Sequence, residues 1–399
     1  MELFENFFED PDKFIYEDEK QKFIEHMDFL KTMSVQESTL YKKWKEFNHN
    51  DYEIRQKASK IHTIKPKLWK PTNLSDRETT LAEIQSIKPK IIPIKQGDSR
   101  QNEYWTLIRR LIHTMEFTAN PGRNVKFIVM DETSNKILGV ICFGSDVIAI
   151  SARDSYIGWS KDNKLTDGKL KNSTIATTIC STQPFGFNFL GGKLIAALIS
   201  TKTFREQWEK LYGEKLAGVT TTSLYGIHSM YNGIPYWKTL GESAGRISLK
   251  PDDDFFQKWH DWYKDNKSEK YAKHIQSKDK DSGPVTGVKQ RILNLIFQEL
   301  GIRTTAYEHG FKRGVFYLTY YENSREYLRG EISESELKLK PRFEQDIDGV
   351  MDWWKKKACK RYEKLLTSGK LKDDILFYGD IIGLDWEQTR EKYIGEVGR

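Results

Sequence analysis

Two segments of the sequence gather side chains that can do chemistry. In the first, Arg153 and Asp154 are adjacent. An arginine can clamp a phosphate or carboxylate through two parallel hydrogen bonds, and a neighbouring carboxylate can act as a general base or orient a substrate amine. In the second, a polar cluster runs from Ser223 to Tyr231, and such a gathering of titratable groups favours an active site over a bare scaffold. Each set also has a structural interpretation, as a salt-bridged loop beneath a sheet or as a packed tyrosine with its hydroxyl satisfied.

Aromatic and basic residues follow the arginine–aspartate pair directly. Tyr156 and Trp159 offer ring faces on which a nucleic-acid base can stack. The lysines that can neutralise a phosphate backbone beside them are Lys161, Lys164, Lys169 and Lys171. These residues predict a nucleic-acid-binding surface. Trp159 can equally fill the core, and each lysine taken singly can belong to a solvated face.

A third segment predicts an anion site at the start of a helix. The β-rich run 173–182 is followed by a turn and then by an amphipathic helix over 193–211. A helix start carries partial positive charge and unpaired N–H groups, which suit a phosphate or pyrophosphate. The residues assigned to this site are Gln183, Gly186, Gly191, Gly192, Lys193 and, from a later segment, Asn232. The alternative is an ordinary strand-to-helix turn.

The elements that must position these side chains form one continuous series. Hydrophobic patterning predicts a strand at 137–143, a charged aromatic loop at 151–159, and the strand and helix just described. A further strand at 216–224 and a closing helix at 229–241 complete the series. The fold class is therefore α/β (α+β), with a mixed central sheet and helices on both faces.

Four regions are predicted along the chain. Residues 1–88 have helical spacing, 89–262 form the α/β core, 263–287 are a polar linker or insertion, and 288–399 are mixed and then helical. Basic residues also occur within the last region, in the run Lys355–Lys357.

Composition excludes several classes of protein. With 38% hydrophobic, 13% aromatic and 30% charged residues, the chain of 399 residues is neither disordered nor membrane-spanning. Its net charge of +7 permits nucleic-acid binding without requiring it. The three cysteines fit neither a disulfide framework nor a metal site, so we expect no metal. An acidic N-terminus is unlike a signal peptide, and we expect a cytoplasmic protein in a bacterial or phage-infected cell.

The series of elements resembles the GNAT superfamily of acetyl-CoA-dependent N-acyltransferases. Tyr231–Asn232 and Trp237–Gly241 are similar to that superfamily's closing helix, which carries a tyrosine near a Leu-Gly ending. The resemblance implies an acetyl-CoA or other acyl-donor site at Gln183–Lys193, with Tyr231 protonating the leaving thiolate. One position departs from the pattern, because Asn188 stands where the usual loop ends in Gly or Ala.

A closer resemblance is to the DruA family of the Druantia anti-phage systems. It is carried by Leu138–Ser145, Ala152–Trp159 and Tyr231–Gly241. It implies an association with invading or modified DNA and with defence-system or phage partner proteins. A weaker similarity of logic is to the phage Mom proteins, which use a GNAT-like fold to modify adenine in DNA.

Three functions are compatible with these observations. The first is group transfer, of an acyl or related group, to a base amine in phage or host DNA, with Arg153 and Asp154 on the substrate and Ser223 and Tyr231 in the chemistry. The second is a non-catalytic DNA-binding component of a defence or counter-defence assembly. The third is an acyltransferase acting on small molecules or proteins, which the basic patches disfavour.

Overall fold

A seven-stranded sheet and fifteen α-helices make up the part of the chain that the structure, a computed structural model, describes. The described residues are 14–48, 63–117, 122–243, 249–276, 288–303, 305–341, 347–373 and 378–396. The strands are β1 Pro89–Pro93, β2 Asn124–Asp131, β3 Lys136–Ser145, β4 Ser173–Ser181, β5 Gly218–Ser223, β6 Trp237–Glu242 and β7 Gly314–Thr319. The helices are α1 Tyr16–Thr32, α2 Val35–Phe47, α3 Arg77–Ser86, α4 Ser99–Ile112, α5 Ser151–Ile157, α6 Lys161–Leu165, α7 Phe185–Phe189, α8 Gly191–Leu198, α9 Lys202–Tyr212, α10 Asp253–Asn266, α11 Ser268–Tyr271, α12 Val288–Glu299, α13 Ser324–Leu328, α14 Ile347–Thr367 and α15 Trp386–Tyr393.

The chain divides into two compact units, each assembled from two stretches of sequence. The first unit comprises residues 1–35 and 244–311, and the second comprises 36–243 and 312–399. In the first unit, Trp259 of α10 packs edge-on against Phe23 of α1. The second unit contains the whole sheet and every predicted site residue. The linear boundaries at 88, 262 and 287 stay a prediction.

The sheet is mixed, with a single parallel pair in its centre. The strand order is β1-β2-β3-β4-β5-β7-β6. All neighbouring strands are antiparallel except β4 and β5. This arrangement, with helices packed on both sides, confirms the predicted α/β class.

The parallel pair is short, and this positions the site. Pairing between β4 and β5 covers only Ser173–Ile175 against Gly218–Thr220. Because β4 continues to Ser181 and β5 to Ser223, the two strands separate toward their carboxyl ends. In open α/β sheets, ligands bind in crevices outside the carboxyl ends of strands.

Alternate residues of the central strands enter two hydrophobic cores, one on each face of the sheet. Phe127 and Ile141 contribute to the core that holds α8, α9 and α14. Ile128 and Val140 contribute to the opposite core, which holds α2 and α4. This two-residue period is what a strand buried on both faces requires.

The predicted loop at 151–159 is wrong, because its first seven residues form helix α5. Gly158 ends the helix in a left-handed conformation, with φ of 83°. The N–H groups of Gly158 and Trp159 both donate to the carbonyl of Asp154, so the last turn is capped. Two helical turns are too short to give a clear periodic signal in sequence.

The predicted closing helix at 229–241 is also wrong. Residues 224–236 form a series of turns, and Trp237–Glu242 is strand β6, paired with β7. Gly233 and Tyr236 have positive φ values of 72° and 67°, which a helix does not permit. The partner strand lies some seventy residues later in sequence, so local patterning could not reveal it.

Two further helical predictions need adjustment. The helix expected at 193–211 is two helices, α8 and α9, separated at Ile199–Thr201. There, the hydroxyls of Ser200 and Thr201 donate to the carbonyls of Ala197 and Leu198, and such bonds compete with helix continuation. The polar segment from 263 is helical as far as Gln276, and 277–287 lie outside the described residues.

Candidate functional site

A buried charge network occupies the amino end of β4. Arg153, on α5, is fully buried and donates to the Asp146 carboxylate at 2.5 Å. It also donates to Asp154 at 2.7 Å and to the Val147 carbonyl at 2.8 Å. Burial opposes the charge of Arg153, but Asp146 and Asp154 outweigh it and raise the pKa of the guanidinium. The network therefore holds Arg153 charged and turned inward.

The acidic members of this network are equally engaged. Asp146 accepts the Ser173 hydroxyl at 2.6 Å and the Thr220 hydroxyl at 3.0 Å. Asp154 accepts the Lys164 amine at 2.6 Å. The network therefore contains two cations and two carboxylates, so its formal charges cancel. Its hydrogen bonds connect β3, β4, β5 and α5. The assigned role of Arg153 and Asp154 on a substrate stays a prediction, and this geometry favours the structural interpretation.

The aromatic residues of α5 and its end point into protein. Trp159 is 9% exposed, and its indole N–H donates to the Leu328 carbonyl at 2.6 Å. Tyr156 is half-buried between two cations, with Lys238 at 4.6 Å and Arg325 at 4.8 Å from its ring centre. Trp159 therefore fills the core in the structure, while two basic side chains lie against the ring of Tyr156.

The remaining predicted lysines lie near the same end of the sheet. Lys169 lies over the ring of Tyr327 at 4.0 Å, and Lys171 pairs with Glu214 at 3.5 Å. Lys161 is exposed on α6. Their binding to nucleic acid stays a prediction.

The glycine-rich segment lies at the other end of β4. Cβ atoms added to Gly186 and Gly192 would come within 2.5 Å of the Ser181 hydroxyl and 2.8 Å of the Met230 sulfur, respectively. Gly191 faces the ring of Phe185. These glycines therefore allow close packing, and Phe185 and Met230 cover part of the start of α8. The Gln183 side chain caps the α7 turn by accepting the Phe187 N–H at 3.0 Å.

Lys193 joins the start of α8 to the turn that covers it. Its amine donates to the Met230 carbonyl at 2.9 Å and to the Asn232 carbonyl. The Asn232 amide holds the same turn by donating to the Ile227 carbonyl at 2.7 Å. Burial and the charge of Lys357 lower the pKa of Lys193. Two cations therefore lie close together here.

Helix α14 and the residues after it add cations that sequence reasoning did not assign to this site. Arg361 and Lys372 lie on the ring of Phe187, at 5.2 Å and 5.1 Å from its centre. Trp354 of the same helix anchors α14 to the segment by donating to the Phe189 carbonyl at 3.0 Å. We call Lys193, Lys357, Arg361 and Lys372 the α8 cation cluster. Lys193, which the sequence assigned to this site, lies more than 150 residues before the other three, and of those three only Lys357 belongs to a basic run noted in the sequence.

Ser223 and Tyr231 belong to this carboxyl end. The Ser223 hydroxyl accepts the Tyr225 N–H at 3.2 Å. Tyr231 shares a hydrogen bond with Thr221, and burial raises the pKa of its hydroxyl. Its ring packs 4.9 Å from that of Phe316 and 5.2 Å from that of Trp237. Tyr231 is therefore protonated at neutral pH and held in a rigid aromatic setting.

The predicted site residues thus form two groups rather than one. Arg153 and Asp154 lie beside Ser173, the first residue of β4, whereas Gly186 and Gly192 lie beside Ser181, the last. A nine-residue strand separates these ends by about 26 Å. A single reaction centre cannot include both groups in this conformation.

Comparison with known proteins identifies the family. The sequence model described as "Druantia protein DruA" matches residues 37–330. The chain belongs to the DruA family. The match contains both ends of β4 and all the predicted site residues, whereas α14 follows it.

A curated DruA-family relative supports this assignment. The Druantia protein DruA of Escherichia coli (strain UMEA 4076-1) is 28% identical over 268 residues, covering 63% of this chain and 64% of the relative. The match therefore spans less than two thirds of that DruA protein's length. No solved structure shows significant similarity to the chain.

Two further properties of the described residues bear on DruA function. No group of His, Cys, Asp and Glu among them is arranged to hold a metal ion. None of their helices is long and apolar enough to cross a membrane.

Proposed function

We propose that this DruA-family protein transfers an acyl or related group from a phosphate-bearing donor to a base amine in DNA, as part of phage defence. The observation that carries the proposal is the α8 cation cluster. It lies at a glycine-opened helix start beside the separated carboxyl ends of β4 and β5. Helix starts and clustered cations both favour phosphate groups.

The electrostatics of the cluster support an anionic ligand. The charge of Lys357 disfavours the charged form of Lys193. Among the described residues, neither amine forms a salt bridge with a carboxylate. A bound phosphate would relieve this repulsion, because an opposite charge within about 4–6 Å favours the charged form of a lysine.

The chain's groups beside the cluster suit group transfer. A donor such as acetyl-CoA supplies phosphates for the cations and an activated acyl carbon for the amine. We assign to Tyr231, which keeps its proton at neutral pH, the role of giving it to a leaving group; Ser223 lies at the end of the adjoining strand β5. The mixed sheet and the strand-to-helix order support a GNAT-like core. The absence of a closing helix at 229–241 and the asparagine at 188 are departures from that pattern.

A second candidate is a non-catalytic DNA-binding component, in which the cluster binds the phosphates of the DNA backbone. It is favoured by two observations: Arg153 and Asp154 are engaged within the protein, and Met230 covers the start of α8. Under this proposal the carboxyl end of β4 binds phosphates but performs no transfer.

A binding experiment tests the cluster. Calorimetric titration with acetyl-CoA and with duplex DNA compares the wild type, Lys357→Glu/Arg361→Glu and the matched control Lys356→Glu/Lys360→Glu. The control has the same charge change on a different face of α14, since positions 356 and 360 are rotated from 357 and 361. We expect acetyl-CoA binding that is lost only in the first variant. DNA binding without acetyl-CoA binding, with the same loss, would select the second candidate.

Nucleoside mass spectrometry tests the transfer. DNA is recovered from cells that express the wild type, Tyr231→Phe or the Lys357→Glu/Arg361→Glu variant, before and after phage infection. A new nucleoside that requires both sites would support transfer, and its added mass would identify the group. An unchanged nucleoside profile in all cells would contradict it.

A further inference from the structure

A second basic cavity lies at the end of the sheet opposite to the α8 cation cluster. It has a volume of about 710 Å³ and opens between the end of β1 and the start of β2. Its polar lining includes Lys95, Gln96, Asn102, Arg123, Lys126 and Tyr212. No acidic residue of the described chain lines it. None of the predicted site residues belongs to this lining.

The cations of the cavity differ in how they are held. Lys126 is half-buried on β2, with its amine 3.1 Å from the Asn102 side-chain oxygen and 4.9 Å from the ring centre of Trp105. Lys95 is exposed at the rim. Among the described residues, neither lysine forms a salt bridge. Burial lowers the pKa of Lys126, as expected for a cation that no carboxylate offsets.

Arg123 forms a rigid wall rather than a free charge. Its guanidinium pairs with Glu214 and stacks on Trp208 and Tyr212, at 5.0 Å and 5.3 Å from the ring centres. The Tyr212 hydroxyl in turn bonds to both backbone groups of Asn124 at 2.9 Å. The cavity is therefore formed before any ligand arrives, which reduces the free energy needed to order it.

We propose that this cavity binds the phosphate of a nucleotide, with Lys95 and Lys126 as the cations that contact it. A single phosphate ion would leave most of the volume empty, whereas about 300–1,000 Å³ is typical of sites for small organic ligands. Gln96 donates its amide N–H to the Tyr212 hydroxyl at 3.0 Å, which leaves its side-chain oxygen to accept from a sugar or base. The nucleotide is either free or part of a DNA strand, and the two sources share the same phosphate chemistry.

This site is separate from the proposed donor site. It lies at the amino end of β4, since Asn124 pairs with Gly144 and Ser145 pairs with Thr174. The α8 cluster lies beyond the carboxyl end, about 26 Å away along the strand. Variants at one site should therefore leave the other intact, so the two proposals can fail independently.

Calorimetric titration of the full chain with ATP and with a short oligo(dT) tests the inference. The variants are Lys95→Gln/Lys126→Gln, the matched control Lys88→Gln/Lys90→Gln, and Lys357→Glu/Arg361→Glu at the donor site. Lys88 and Lys90 are exposed lysines outside the cavity. Lys95→Gln alone keeps the test valid if the change at Lys126 impairs folding.

We expect at least one probe to bind, with affinity reduced roughly tenfold for each cavity lysine removed, or about 1.4 kcal/mol. The control and the donor-site variant should bind as the wild type does. Binding of ATP alone identifies a free nucleotide, and binding of oligo(dT) identifies a strand. The inference is overturned if the wild type binds neither probe, or if affinity is lost in the donor-site variant and not in the cavity variant.

Discussion

The two ends of strand β4 are built in opposite ways. At the amino end, Arg153 and Lys164 are balanced by Asp146 and Asp154, and every one of these groups is bonded within the protein. At the carboxyl end, Lys193 and Lys357 of the α8 cation cluster lie beside separating strands, and neither forms a salt bridge with a described carboxylate. A balanced network stabilises a fold, whereas an unbalanced cluster at a crevice is suited to a ligand. Density of titratable residues in the sequence does not distinguish these cases, but the pairing of their charges does.

The opposite face of the carboxyl end also holds several cations. Lys43 is fully buried, and its amine donates to Glu46 at 2.9 Å and to the Arg110 carbonyl at 2.6 Å. The buried Arg109 and the nearby Arg110 share the one carboxylate of Glu46. Cys180, the penultimate residue of β4, is close enough for Lys43 to affect its pKa. The contrast between the two ends therefore extends to both faces of the sheet.

The largest expected effect comes from breaking the amino-end network. Arg153→Ala leaves the Asp146 carboxylate buried without its cation, and removal of one partner of a buried ion pair costs about 3–5 kcal/mol. Urea unfolding measures this loss of free energy of unfolding. The double variant Asp146→Asn/Arg153→Met removes both charges and should lose less than the single variant. A fully stable Arg153→Ala protein that loses only activity would instead support the predicted substrate clamp.

The next largest effect is on ligand binding at the carboxyl end of β4. Lys357→Ala/Arg361→Ala should change stability little, because Lys357 is exposed and Arg361 contributes only its stacking on Phe187 and a long hydrogen bond of 3.4 Å to the Phe187 carbonyl. Binding of the phosphate ligand should weaken by about 1–3 kcal/mol, because the variant can no longer donate charge-assisted hydrogen bonds from these two side chains. If the ligand is DNA, the slope of log affinity against log salt should fall by about 2. A loss of stability without a loss of binding would show that this end is as structural as the other.

The buried Lys43 gives a pH-dependent effect of about 2 kcal/mol. Burial lowers its pKa from 10.5 to about 8. Above pH 8 the folded protein has lost this proton and the unfolded chain retains it, so the stability contribution of Lys43 increases with pH up to 10.5. The free energy of unfolding of the wild type relative to Lys43→Met should therefore rise between pH 8 and pH 9.5. A flat difference would mean that Glu46 fully offsets the buried charge.

Sequence patterns predicted the elements around β4 better than the site. Strands β3 to β5 and the glycine start of α8 follow from local hydrophobic period and turn residues. Strand β6 does not, because Trp237–Glu242 is extended only through its pairing with β7. The central strands could therefore be predicted from local sequence, whereas the edge strand β6 depends on long-range pairing.

The charges were harder still to assign. Arg153 and Asp154 are conspicuous in sequence because they are adjacent. The sequence did not indicate that Arg153 also pairs with Asp146, which lies seven residues earlier, across a turn. Arg361 and Lys372 are inconspicuous among many lysines, and only the packing of α14 places them on Phe187. A single sequence does not specify which cations folding brings together, because that depends on tertiary structure.

The change that best separates chemistry from packing is Tyr231→Phe. The ring packing against Phe316 and Trp237 is retained, and only the hydrogen bond shared with Thr221 is removed, so the free energy of unfolding should fall by about 1 kcal/mol. If Tyr231 is the proton donor, the rate of transfer should fall by about 10²–10⁴ while donor binding is unchanged. Thr221→Val keeps the tyrosine hydroxyl but removes its contact with Thr221 and also the hydrogen bond from the Thr221 hydroxyl to the Ala176 carbonyl at 3.0 Å, so it serves as the control for disruption of the strand end. Equal losses of rate in both variants would mean that the hydroxyl only orders the strand end, and the carboxyl end of β4 would then be a binding surface without a catalytic acid.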